Sequence, residues 1–165
     1  MTSNNSVLYA EDDENDVFLM ERAFRKLGIS NPLRSVSDGK LAVAYLAGTK
    51  PYEGREIPGL LLLDLSMPGK HGLEVLKWLK GEPALSTLPV VVLSSSNQES
   101  DIHRAYLLGA NGFIIKPGDP NELVDIVRLI REYWLMEQRP SGLFIDFAAE
   151  ANVRPAIKPT DPLKT

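Results

Sequence analysis

The chain has 165 residues, 44% of them hydrophobic, which suits one core and one domain with a modest appendage. Its 18 Lys and Arg against 22 Asp and Glu give a net charge of −4, which argues against a general nucleic-acid binder, and the absence of cysteine excludes disulfides and thiolate metal sites. No apolar run approaches the roughly 18 residues of a membrane span, and Met1-Thr2-Ser3-Asn4-Asn5-Ser6 lacks the basic and apolar regions of a leader, so a soluble cytoplasmic protein is expected.

Val7-Leu8-Tyr9-Ala10 is a short apolar run bounded by polar residues and predicts a buried strand. Val17, Met20, Ala23, Phe24 and Leu27 then recur at helical spacing, with Gly28 as the stop. Residues 33–36 form a weaker strand, and Asp38 caps a helix carrying Leu41, Ala44 and Tyr45 that runs out near Gly48. With three Gly and two Pro among charges, residues 48–59 read as a long loop. Leu60-Leu61-Leu62-Leu63 is continuously apolar, as a central parallel strand covered on both faces should be, and it runs into Asp64. A helix over Leu73, Leu76 and Leu79 ends at Gly81. Pro89-Val90-Val91-Val92-Leu93 is the strongest strand signal, followed by a helix over Ile102, Ala105 and Tyr106. Phe113-Ile114-Ile115 is a fifth strand, and Leu123, Ile126, Val127, Ile130 and Trp134 mark a long last helix.

Strands alternating with helices in this way are the signature of an open α/β domain with a parallel sheet. Right-handed crossovers leave few topologies, and the expectation is a flavodoxin-like doubly wound (βα)5 three-layer sandwich, sheet order 2-1-3-4-5. It would span residues 5–138. Residues 139–165 read as an extension: Leu143-Phe144-Ile145-Asp146-Phe147 is too apolar for a free linker, and the Pro-rich stretch from Asn152 predicts disorder. Nothing there resembles a DNA-reading unit.

In such sheets ligands bind outside the carboxyl ends of the strands. The first strand ends in Glu11-Asp12-Asp13, the third in Asp64, the fourth in Ser94-Ser95-Ser96 and the fifth in Lys116-Pro117. Carboxylates about 5 Å apart repel by roughly 3 kcal/mol per pair at an effective dielectric near 20, so three together need compensation. A divalent cation and the Lys116 ammonium would supply it. Oxygen donors without Cys or a nearby His suit a hard ion such as Mg²⁺. One carboxylate is then left as a nucleophile toward phosphorus, with Ser94 and Lys116 placed to hold phosphoryl oxygens. Asp13 and Asp16 read as cap or surface charges, His71 and His103 as surface residues, and Trp78 and Trp134 as packing residues.

Four motifs stand in order, each at a strand end: Val7-Leu8-Tyr9-Ala10-Glu11-Asp12, Leu63-Asp64-Leu65-Ser66-Met67-Pro68, Val92-Leu93-Ser94, and Gly109-Ala110-Asn111-Gly112-Phe113-Ile114-Ile115-Lys116-Pro117. Together they make the chain resemble the CheY-like response regulator receiver domains of bacterial two-component systems. The resemblance implies that Asp64 is the phosphoacceptor. It implies Mg²⁺ ligands at Glu11, Asp12, Asp64 and the backbone carbonyl of Ser66, and a phosphate-binding pair in Ser94 and Lys116. Phe113 stands where the family's switch aromatic is often Tyr, and Gly118 where a larger apolar residue is usual. A cis peptide is expected between Lys116 and Pro117, which proline makes accessible. Phosphorylation would draw Ser94 toward the new dianion and let Phe113 turn inward, repacking the fourth helix, fifth strand and fifth helix.

The long loop before the third strand and the Trp134 end of the last helix are similar to single-domain regulators paired with phytochrome-type kinases. A sensor histidine kinase of that type is therefore the expected partner; the residues do not name the downstream protein. A phosphohydrolase using the same aspartyl-phosphate chemistry is the enzyme alternative, but its pattern wants Asp where Ser66 stands. A flavodoxin-type carrier would have to place a flavin phosphate against Glu11-Asp12-Asp13. A receiver-like module working without phosphorylation would not need so complete a site. The expectation is a phosphoacceptor that catalyses only its own phosphorylation and dephosphorylation. On the last helix Leu129, Tyr133 and Met136 form a second apolar stripe, which either widens the buried face or supports a homodimer.

Overall fold

The computed structural model describes residues 5–69, 71–135 and, as backbone, 153–154. The elements are β1 (Val7–Ala10), α1 (Glu14–Lys26), β2 (Leu33–Val36), α2 (Gly39–Ala47), β3 (Leu60–Leu63), α3 (Gly72–Lys80), β4 (Val90–Ser94), α4 (Glu99–Leu107), β5 (Gly112–Ile115), α5 (Pro120–Ile130) and β6 (Val153–Arg154). A 3₁₀ turn over Pro83–Leu85 follows α3, and a π turn over Arg131–Leu135 extends α5. The sheet order is β2-β1-β3-β4-β5-β6; β1 to β5 are parallel and stand in the order that the sequence pattern predicts, and β6 is an addition to it.

β6 lies in the stretch read as disordered from Asn152, of which these two residues are described. Val153–Arg154 pairs antiparallel with Ile114 and Phe113, on the edge of β5 that the five-stranded arrangement would leave open. An open edge is a row of unpaired backbone groups, and two residues of extended chain satisfy part of it whatever their composition. The Leu143–Phe147 segment lies outside the described residues.

The layers follow from the pleat. Every residue of β1, β3 and β4 is buried, which is why those segments read as unbroken apolar runs rather than alternating ones. Leu8, Ala10, Leu61, Leu63, Val92 and Phe113 face the α2–α3–α4 side, with Leu46, Leu76 and Ile102. Val7, Tyr9, Leu60, Leu62, Val91 and Ile114 face α1 and α5, meeting Met20, Phe24, Ile126 and Ile130. Trp78 and Trp134 pack against these two clusters respectively, the latter over β5, where a Cβ at Gly112 would stand 3.3 Å from its ring.

Aspartates start three of the helices. Asp13 accepts from the Asn15 and Asp16 N–H groups, Asp38 from Leu41 N–H and Asp119 from Asn121 N–H. His71, read as a surface residue, is exposed but also caps α3, its Nδ1 accepting from Leu73 N–H at 3.2 Å. The long 48–59 loop is tied to the domain. Arg55 donates from Nε to the Tyr45 carbonyl at 2.6 Å and from Nη2 to the Leu46 carbonyl, closing the C-terminal end of α2, and Tyr52 packs on Tyr45 with ring centroids 5.0 Å apart.

Candidate functional site

β1, β3, β4 and β5 are consecutive parallel strands of the sheet, so the residues that end them meet at one edge of it. Glu11 and Asp64 are almost wholly buried there, at 2% and 3% exposure, while Asp12 faces solvent. Carboxylate oxygens of Glu11, Asp12 and Asp64 lie within 4.8 Å of one another. Lys116 reaches into this group from β5: its Nζ donates to Glu11 Oε2 and to Asp16 Oδ2 at 3.0 Å, and stands 3.6 Å from Asp64 Oδ2.

Two further groups hold Glu11. The buried Tyr9 hydroxyl donates to its Oε2 at 3.2 Å, and Asp13 N–H donates to Oε1 at 3.2 Å. The Glu11 carboxyl is pushed up to about 7: burial raises it most, the hydrogen bond and charge of Lys116 act against the rise, and the Asp64 charge adds to it. For Lys116 burial acts downward, but the hydrogen bond to Glu11 and the charges of Asp64 and Glu11 outweigh it and hold the ammonium at about 12. Tyr9 is raised above its ordinary value by burial first and by the Glu11 and Asp16 charges next, so it stays a neutral donor.

The other half of the site is neutral. Ser94, fully buried at the end of β4, accepts from Ser96 N–H at 3.2 Å, and the Ser96 hydroxyl donates to Asp101 Oδ2 at 2.6 Å on α4. Ser66 is exposed, and its N–H donates to Asp64 Oδ1 at 3.3 Å. Behind Asp64, α3 begins so close that a Cβ at Gly72 would lie 2.4 Å from the Asp64 carbonyl oxygen. Only glycine permits that approach.

One sequence expectation changes. The cis peptide among the described residues is Lys50–Pro51, and Lys116–Pro117 is not cis. An X–Pro bond prefers trans by only about 0.5–1 kcal/mol, so a dipeptide does not settle its own isomer. Phe113 is fully buried on β5, beside Val92 of β4. The sequence reading passed over Tyr9 and took Asp16 for a cap or surface charge. Tyr9 lies two residues before Glu11, hence on the same side of an extended strand, a signal that was available. Asp16 offered none, because its partner lies 100 residues away.

Oxygen donors from three carboxylates, with the Lys116 ammonium beside them, match the donor chemistry of a hard divalent cation. Among known families, the response regulator receiver domain matches residues 7–128 of this chain. The chain belongs to that family. It is similar to the probable methanogenesis regulatory protein FilR2 of Methanothrix harundinacea, 38% identical over 82% of this chain and 87% of that one. Response regulator Rcp1 of Synechocystis is 36% identical over 78% of this chain and 88% of its own. Among solved structures, the phosphorylated cyanobacterial phytochrome response regulator RcpA superposes with a TM-score of 0.78 at 37% identity, covering 84% of this chain and all of that one. The Mn²⁺-bound form of Rcp1 superposes at 0.75 with 34% identity, covering 81% of this chain and 96% of that one. The receiver is thus a two-component signalling protein with a flavodoxin-like fold. No helix among its described residues is long and apolar enough to cross a membrane.

Proposed function

We propose that this receiver accepts a phosphoryl group on Asp64 from the phosphohistidine of a sensor kinase of phytochrome type. The observation that carries the reading is the setting of Asp64: buried, with the Glu11 and Asp12 carboxylates beside it and the Lys116 ammonium 3.6 Å away. The kinship with RcpA, a phytochrome response regulator, supports the kind of kinase.

In the transfer an Asp64 carboxylate oxygen forms the new bond to phosphorus as the bond to the donor imidazole nitrogen breaks, and that nitrogen leaves with the electron pair. Little covalent work falls to the protein, whose task is positioning and charge compensation. Mg²⁺ held by Glu11, Asp12, Asp64 and the Ser66 carbonyl would supply further positive charge against the transferring oxygens. Lys116 is long enough to follow the phosphoryl group, and the Ser94 hydroxyl can leave its bond from Ser96 N–H to donate to a phosphoryl oxygen. Ser96 is also linked to Asp101 on α4, so that movement is transmitted to the α4 surface beside β5 and α5.

The protein then works as a phosphoacceptor that turns over only its own phosphoryl group. Its receiver domain occupies residues 5–138, and residues 139–165 are an appendage. A second copy docks across α5, where Leu129 and Tyr133 are half-buried, and sedimentation at high concentration tests this; Met136 lies outside the described residues. The central test is labelling by a small phosphodonor. Wild type should take up one acid-labile phosphoryl group per chain and Asp64→Asn none, and equal uptake by both would refute the acceptor assignment. A phytochrome-type kinase, already phosphorylated, should pass its group to the wild type faster than to Asp12→Asn.

A further inference from the structure

Lys116 has one more partner than phosphoryl transfer requires. Its ammonium touches Glu11 and Asp16 but stands 3.6 Å from Asp64, so it rests on the α1 side of the site, away from the acceptor. The two closer carboxylates differ in how easily they are given up. The Glu11 side chain is 1% exposed, and parting it from its cation would strand a buried charge. The Asp16 side chain is 34% exposed, in the first turn of α1, where water and the positive helix end can both replace the lysine. A cavity of about 270 Å³, lined by Asp16, Lys116 and Gly118 among others, lies against the pair. Gly118 leaves this wall open, since a Cβ built there would meet nothing within 4 Å. Solvent therefore reaches the Asp16 side of the lysine.

We propose that Asp16 is a positioning residue for Lys116, an exchangeable counter-ion that holds the ammonium off Asp64 until a phosphoryl oxygen takes its place. This rests on the reading of Asp64 as acceptor. The lysine then keeps Glu11 and trades Asp16 for the phosphoryl group, moving toward β3. Asp16 thereby opposes the phosphorylated state by the strength of one half-exposed ion pair.

The test uses the full chain with Mg²⁺ and beryllofluoride as the phosphoryl mimic, in wild type, Asp16→Asn and Asp16→Glu. Removing the charge should tighten beryllofluoride binding about two- to fivefold, the worth of such a pair, and speed labelling by a small phosphodonor to a similar degree. Glu at this position should restore wild-type behaviour. The Lys116 Nζ signal in nitrogen-15 spectra provides a reading that a merely structural role would leave unmoved. In free Asp16→Asn it should be displaced toward its position in the wild-type complex. Binding that is unchanged or weaker in Asp16→Asn, or an Nζ signal insensitive to the substitution, would overturn the proposal. If instead the wild type neither binds beryllofluoride nor labels, the Asp64 reading fails, and the proposal with it.

Discussion

The two halves of the site are built from different physics. On the β1–α1 side, Glu11, Asp16 and Asp64 gather around the Lys116 ammonium with Asp12 beside Glu11 and Asp64, and the arrangement is governed by charge. On the β4–α4 side Ser94, Ser96 and Phe113 are placed by hydrogen bonds and close packing. Charge acts over several ångströms and tolerates small displacements, whereas a hydroxyl bond or a packed ring is lost within one. The charged half is thus suited to capturing a phosphoryl group, and the neutral half to registering that it has arrived.

The largest effect should come from removing the cation. Lys116→Met would leave Glu11 and Asp64 buried without their partner, and breaking a buried pair in this way costs about 3–5 kcal/mol. Urea unfolding without metal would measure it, and added Mg²⁺ should recover a good part. A small loss that Mg²⁺ leaves unchanged would mean that the charged half is not governed by charge.

The pH dependence of the metal-free protein probes the same half. Glu11 rises on folding from an ordinary carboxyl value near 4.5 to about 7, so the folded state binds its proton more tightly than the unfolded one. The stabilising contribution is complete below pH 4.5 and is lost as pH climbs through about 7. Unfolding midpoints of wild type should therefore fall across that window more steeply than those of Glu11→Gln. Mg²⁺ affinity should rise over the same range, because the metal needs the ionised carboxylate. Calorimetric titrations at pH 6 and pH 8 that gave one affinity would contradict this.

Between the halves, Gly72→Ala would force a methyl group against the Asp64 backbone, 2.4 Å from its carbonyl oxygen. Overpacking of this kind costs about 1–3 kcal/mol, and displacement of Asp64 should slow labelling as well. A stable variant that labels at the normal rate would show that the start of α3 does not position the acceptor. The smallest effect is expected in the neutral half. Ser96→Ala loses the 2.6 Å bond to Asp101, about 1 kcal/mol of stability by thermal unfolding, with the initial labelling rate nearly unchanged. If that rate dropped as far as in Lys116→Met, the division between the halves would not hold.

The Leu60–Leu63 and Val90–Leu93 runs announced central strands because a strand covered on both faces has no polar position to fill. Glu11, Asp12, Asp64, Ser94 and Lys116 were legible because a polar group directly after such a run must sit where the sheet ends. The capping roles of Asp13 and Asp38 were equally legible, since a cap bonds within three residues of itself. What only the tertiary structure decided involves partners distant in sequence or alternatives close in energy. Asp16 meets Lys116 across 100 residues, and no local pattern encodes that meeting. The trans Lys116–Pro117 bond is a choice between conformers that a short segment can adopt either way, and packing around it makes the choice. The pairing of Val153–Arg154 with β5 depends on an edge left free by the rest of the sheet, and its backbone hydrogen bonds do not depend on side-chain identity.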